Sequence, residues 1–471
     1  MNSRFWQSPQ GHTTLDSITR KCIPTWTDGL KDEQRDVIGR ILDGEKVLWL
    51  AATGAGKSAA FQVPIIVHEE IQRNPELYPG LKGKKLPVGL IVTPTKGLAG
   101  NIVHEAEKLG ITGFAYTHEN ITQARKRKTD IVRVISSCET YRLVCVDPEH
   151  LRADEWSRIA SSNSFRTNLI FSCAEEAHLI PEWGNPDFRP DFQFIGTFFR
   201  SQLPSSISSF ALSATLEPGE STLMVCDRLG FKKSFFHLIR GSNERPNTQF
   251  IVENLTHGLS GDIFPQLLPY LSSGRKTIIH CQTLETVYRV YVYLLSFLDD
   301  SDPTALCRMR VYHSMCSDKY NAQTLDMLDN DPICQVVIAT VAFANGINVR
   351  SLLDSISLGN SSSFNLTWQE KGRVGRDPIS QARGILLVSP ATVTKAQKYI
   401  EAINRKMPVP FEMNLSNALV LTESLCYIAR INIIYQNPPL DITLFDVGLF
   451  WNRNGLEQRP RSRTTSVITR D

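Results

Sequence analysis

The chain alternates short apolar runs with longer stretches of helical period, and the apolar runs end at polar or glycine-rich residues. "DEQRDVIGRIL" has helical spacing and is followed by apolar "KVLWLAA", then "TGAGKS", then "AAFQVPIIVHEEI", again helical. Strand, loop, helix is the order a parallel α/β sheet needs. "LPVGLIVTP" predicts a further buried strand, with a helix over Leu98–Leu109, and "IVRVISSCE", "TNLIFSCAEEAH" and "ISSFALSAT" carry the same strand signature. Turn formers in "GSNERPNTQF" predict a linker over 241–248. The rhythm then restarts, with strands in "KTIIHC", "CRMRVYH", "CQVVIAT", "LDSISLG" and "GILLVSP" and a helix in "LETVYRVYVYLLSFL". The expected fold class is α/β, with two tandem parallel-sheet domains over 25–240 and 249–400. Residues 1–24 are polar without a clear period and predict a flexible N-terminus. A short C-terminal extension, 401–471, is expected to be partly disordered.

Composition narrows this little. At 471 residues, 42% hydrophobic and 21% charged, the chain is of ordinary globular make-up and long enough for two or three cores. Lys and Arg number 51 against 48 Asp and Glu, a balance that neither demands nor forbids a polyanionic partner. Ten scattered cysteines with no CxxC pair argue against a disulfide scaffold and a thiolate zinc module, so no structural zinc is expected. The N-terminal residues lack the apolar core of a signal peptide, and "VYRVYVYLLSFL" is too short to span a bilayer and contains Arg289. A soluble intracellular protein without membrane contact is the expectation.

Candidate chemistry begins at "AATGAGKS". Gly54 and Gly56, with Thr53 and Ala55, let the backbone turn tightly and aim its N–H groups at phosphate. Lys57 brings positive charge to the β and γ phosphates, and the Ser58 hydroxyl is placed to ligate Mg²⁺. Downstream, "FSCAEEAHLI" delivers Glu175 and Glu176 at the C-terminal edge of an apolar strand, where such sheets hold their ligands. Two adjacent carboxylates can divide the work: Glu175 holds Mg²⁺ while Glu176 polarises the attacking water.

The order of these motifs resembles the superfamily 2 helicases, and specifically the RecQ family of DNA helicases, over Leu30 to Pro390. In that resemblance "LKDEQ" supplies Gln34 to read the adenine edge, "VTPTKGL" and "SSCE" follow the phosphate loop, Glu175–His178 is the DEAH-type box, and "ALSAT" supplies Ser213 and Thr215. "EWGNPDFRP" resembles the family's aromatic-rich loop, with Trp183, Phe188 and Arg189 coupling DNA contact to hydrolysis; exposed aromatics stack on bases and an arginine reaches phosphate. "ERPN" resembles the hinge region, "VYHS" a second-domain strand, and "IATVAFANGINV" motif V, including Thr340. "QEKGRVGRD" resembles motif VI, with Gln369 and the arginines Arg373 and Arg376 placed to stabilise charge on the transferring phosphate.

The resemblance implies two RecA-like, P-loop NTPase domains around a cleft for ATP and Mg²⁺, 3′–5′ movement on single-stranded or tailed duplex DNA, and a nuclear location, with the cytoplasm as the alternative. Glu175 stands where the family has aspartate; Ala344, Asn345 and Asn348 depart from motif V; Leu284 replaces an arginine; and only Cys426 follows Cys334, so the family's four-cysteine module is missing. Two other readings stay open: an RNA helicase with the same engine, and a RecQ-like core that binds nucleic acid or a protein partner, of unknown identity, without productive turnover.

Overall fold

The computed structural model describes residues 4–184, 187–299, 301, 304–340, 343, 349–377, 379–409 and 411–438. Among the described residues the apolar runs become two separate, wholly parallel sheets. The first contains β1 (Val47–Leu50), β2 (Val88–Val92), β3 (Gly113–Tyr116), β4 (Leu143–Val146), β5 (Leu169–Ala174), β6 (Ser208–Ser213) and β7 (His237–Arg240), in the order β3-β4-β2-β5-β6-β1-β7. The second contains β8 (Thr248–Asn254), β9 (Thr277–Cys281), β10 (Met309–Tyr312), β11 (Val336–Ala339), β12 (Asp354–Leu358) and β13 (Ala382–Val388), in the order β10-β11-β9-β12-β13-β8. Strands covered by helices on both faces read as unbroken apolar runs, and β1, β2, β4 and β5 are buried along their whole length. Gly89 of β2 is required by close packing, since a Cβ there would stand 2.2 Å from the Phe171 ring of β5.

This order positions the chemistry. β1 lies between β6 and β7, so Leu50 pairs with both Ser213 and Arg240. The phosphate loop therefore starts beside motif III and beside the residue that leads into the linker. Edge strand β7 leaves the first sheet, and β8 enters the second at Thr248, the last residue of the expected linker.

Three expectations need correction. Among the described residues the N-terminal stretch is not frayed: Pro9–Cys22 is a helix, capped by the Ser8 hydroxyl accepting from Gly11 N at 3.0 Å, with Leu15 and Ile18 fully buried. Each such burial is worth about 1.5–3 kcal/mol, enough to hold a helix whose polar exposed face hides its period. "IVRVISSCE" is not a strand. Asp130 caps a helix over Ile131–Ser137, whose buried Ile131 and Ile135 lie one turn apart, and Cys138 ends it in the left-handed region at φ 60°. A short β-branched run satisfies either period, and the packing of that face decides.

The extension is the third. Its boundary at 400 falls inside the helix Pro390–Asn404, and helices Leu415–Leu421 and Tyr427–Tyr435 follow. Ala418, Val420, Leu421, Ile431 and Tyr435 share one core with Phe250, Phe364 and Trp368 of the second domain. Residues 439–471, which include the string over 453–471 where disorder was expected, lie outside the described residues.

Candidate nucleotide cleft and nucleic-acid loop

A cleft of about 1180 Å³ runs between the two domains, lined by Gln34, the phosphate loop, Glu175, Glu176, Arg373 and Arg376. The structure thus brings the predicted nucleotide residues to one place, with Ala55 of the phosphate loop alone not lining the cleft. Gly54 and Gly56 adopt φ of +85° and +83°, conformations that only glycine takes without strain. Lys57 Nζ donates to Ala51 O at 2.8 Å and Ala52 O at 3.1 Å, folding the loop onto its own carbonyls. Ser58 is exposed in the cleft at the start of the helix Ala59–Arg73. Gln34 has a further task beyond the adenine contact expected of it. Its Oε1 accepts from Lys31 N at 2.9 Å, while Nε2 donates to Gly56 O at 3.1 Å and Ala55 O at 3.4 Å, bracing the phosphate loop.

The acidic pair follows β5. Burial and the neighbouring Glu176 push Glu175 up to about 8, with Lys57 opposing. Glu176 sits in the left-handed region at φ 51°, a strained setting for a non-glycine residue and one that clusters at functional sites. Oε2 of each glutamate is buried without a hydrogen-bond partner. Glu176 Oε2 lies 3.5 Å from His178 Nδ1, which leaves the orphaned Glu175 Oε2, in the same cleft as the Ser58 hydroxyl, to fit Mg²⁺, an ion that takes few protein ligands and keeps its waters; Glu175 and Ser58 would hold it. Among the described residues no group of three or more His, Cys, Asp or Glu side chains could hold a metal ion.

The second domain supplies the positive charge. Burial lowers Arg373, with Glu176 opposing, and burial together with Arg373, Arg245 and Arg350 lowers Arg376. Four guanidinium groups gathered at a buried cleft favour a polyphosphate. Arg245, legible in the sequence only as part of the hinge string, is the residue the motifs understated. Its guanidinium donates to Thr53 O at 3.2 Å, to Gly372 O at 2.8 Å and to Gly375 O at 2.5 Å.

A second cross-domain link starts at the acidic box. Gln369 Nε2 donates to His178 Nε2 at 2.7 Å, so the imidazole carries its proton on Nδ1 and donates to Ser213 Oγ at 2.9 Å. Ser213 Oγ also accepts from Thr215 N at 3.2 Å. Ser213 and Thr215, expected at the nucleic-acid coupling site, are both buried, with Ser213 in contact with the acidic box through His178.

The aromatic loop leaves the helix Leu179–Trp183 immediately after the box. Phe188 is 63% exposed and lies edge-on to Trp183, with ring centroids 5.9 Å apart. Arg189, expected to reach phosphate, is engaged: it donates to both carboxylate oxygens of Glu149 at 2.6 and 2.9 Å and to Pro94 O at 2.5 Å, over the Phe192 ring at 4.6 Å. Glu149 had no motif to announce it. Thr340 follows β11 and donates its N–H to Tyr312 O at 3.3 Å; Ala344, Asn345 and Asn348 of motif V lie outside the described residues. All ten cysteines are free thiols, and no helix among the described residues is long and apolar enough to cross a membrane.

Residues 31–222 match the DEAD/DEAH box helicase family and 261–378 the helicase conserved C-terminal domain. A mimivirus protein of Acanthamoeba polyphaga mimivirus, named as an RNA helicase, is 27% identical over 74% of this chain and 56% of its own. The ATP-dependent DNA helicase RecQ of Haemophilus influenzae is 25% identical over 78% of this chain and 52% of its own. The chain thus spans about half the length of the curated relatives it matches. In fold it is similar to the DUF1998 helicase MrfA bound to DNA and AMPPNP, with TM-score 0.63 and 16% identity over 87% of this chain and 57% of that one. The two sheets are RecA-like domains. With both helicase domains in order and RecQ relatives along most of its length, the chain is a divergent, RecQ-like superfamily 2 helicase core.

Proposed function

We propose that this chain is an ATP-dependent 3′–5′ helicase or translocase acting on single-stranded or tailed duplex DNA. The observation that carries the ATPase reading is the convergence of Lys57, Glu175 and Glu176 from one domain with Arg373 and Arg376 from the other on a single cleft. The phosphate loop holds the triphosphate, Glu176 orients water for in-line attack, and the two arginines stabilise charge on the γ-phosphate. Mg²⁺, when bound, neutralises phosphate charge. DNA in preference to RNA is supported by the RecQ relatives, which are named as DNA helicases, and by an aromatic loop joined directly to the acidic box; the 3′–5′ polarity rests on the family resemblance alone.

The test is steady-state ATPase activity with 3′-tailed DNA, 5′-tailed DNA and matched RNA. Stimulation by the 3′-tailed DNA above both others is expected, and its loss in Phe188→Ala/Arg189→Ala with basal turnover spared. Lys57→Ala should remove hydrolysis and leave the fold intact. Stimulation by RNA alone would replace DNA as the substrate. Tight nucleic-acid binding with no turnover would make the chain a passive binder.

A further inference from the structure

Beyond residue 378, where the second helicase match ends, the chain makes its own contacts with the hinge. The helix Tyr427–Tyr435 ends at Gln436, which takes the left-handed conformation at φ 50° and turns the chain back toward the first domain. That turn delivers Asn437 to the linker. Asn437 Oδ1 accepts from Asn243 N at 3.1 Å, and its Nδ2 donates to Asn243 Oδ1 at 2.8 Å and to Asn432 Oδ1 at 2.7 Å. Asn243, only 6% exposed, passes the contact on: its Nδ2 donates to Ala214 O of motif III at 3.3 Å, and its carbonyl accepts from Trp368 Nε1 at 3.3 Å. Every polar group of Asn243 is therefore used, one set by the extension, one by motif III and one by the second domain. Buried networks satisfied this fully fix one arrangement of the parts they join.

The extension also grips both domains. Its apolar side is built into the second-domain core, and Tyr435 Oη donates to Asn365 Oδ1 at 2.7 Å. Its links to the first domain are polar: Ser416 Oγ donates to Glu217 Oε2 at 2.8 Å, just after motif III, and Arg240 Nη1 donates to Tyr435 O at 3.4 Å.

We infer that Asn437 is a positioning residue for nucleotide use, acting through Asn243 to hold hinge and motif III in the arrangement that presents the second-domain arginines to the cleft. The inference rests on the ATPase reading of that cleft. Loss of the bracing lowers the fraction of molecules already arranged for ATP, which raises the apparent KM in proportion and leaves turnover at saturation little changed.

The experiment compares wild type, Asn437→Ala, Asn437→Asp and, as a control on the exposed face of the extension, Leu425→Ala. For Asn437→Ala the ATP KM should rise about 2- to 10-fold, the range expected for one net hydrogen bond, with kcat at saturating ATP and nucleic acid retained. Asn437→Asp keeps the acceptor for Asn243 N but sets a carboxylate against two carbonyl oxygens, so its KM should rise at least as far. Hydrogen exchange in peptides covering 212–217 and 241–247 should quicken in both variants and not in Leu425→Ala. An unchanged KM, or a fall in kcat and KM together with a lower unfolding temperature, overturns the positioning role, as does faster exchange at the hinge alone with motif III unaffected. If wild type itself shows no turnover, the ATPase reading has failed. Affinity for a fluorescent ATP analogue and the same exchange comparison then decide on Asn437 alone.

Discussion

The guanidinium of Arg245 donates to the carbonyl of Thr53 at 3.2 Å while holding the carbonyls of Gly372 and Gly375, so one linker side chain joins the phosphate loop to the loop bearing Arg373 and Arg376. Burial lowers its pKa to about 10, with Arg373 adding to the effect, and the group stays protonated at neutral pH. Arg245→Ala should cut kcat about 100-fold, because two loops whose relative placement sets phosphate geometry lose their common anchor. Arg245→Lys keeps the charge but not the planar fork, and should recover only part of the loss. Steady-state ATPase rates, alongside unfolding temperatures, check both.

Glu175 is longer by one methylene than the aspartate of the resembling family, and Mg²⁺, which it would help to hold, demands near-ideal octahedral geometry. Glu175→Asp should raise kcat at saturating Mg²⁺-ATP. A lower rate in the same assay would show that the cleft has adapted to glutamate.

The bidentate pair Arg189–Glu149 competes with any phosphate for the same guanidinium. Glu149→Gln should tighten binding to a single strand by several-fold, read by fluorescence anisotropy at fixed ionic strength. Equal affinity in the two proteins would take Arg189 out of the nucleic-acid contact.

Asp147, at the end of β4, has a buried carboxyl raised to about 6 by burial and by Glu149, with Arg189 opposing. Its folded value lies above its unfolded one, so its contribution to stability is present below about pH 4 and is lost as pH rises through 6. Asp147→Asn should therefore stabilise the protein at pH 8 by up to roughly 2–3 kcal/mol, and by progressively less towards pH 5. Thermal unfolding across that range checks the slope.

Sequence by itself determined the parts whose physics is local. Phosphate binding needs glycines at positive φ, a lysine and a hydroxyl within a few residues, so "TGAGKS" was legible, and buried parallel strands need unbroken apolar runs, so most of both sheets was too. Where a short run satisfied two periods, as at Ile131–Ser137, or where an amphipathic helix showed mostly its polar face, as at Pro9–Cys22, the pattern underdetermined the element and packing settled it. Only the tertiary structure decided which distant residues meet. Gln369 reaches His178 across 191 positions, Arg189 pairs with Glu149 across 40, and Asn437 clasps Asn243 across 194. Hydrogen bonds between such pairs are made by whatever side chains two folded surfaces bring within about 3 Å. No spacing rule along the chain encodes that, so Gln369 and Arg189 could be flagged by motif but not partnered, Asn243 was legible only as part of the linker string, and Glu149 and Asn437 could not be flagged at all.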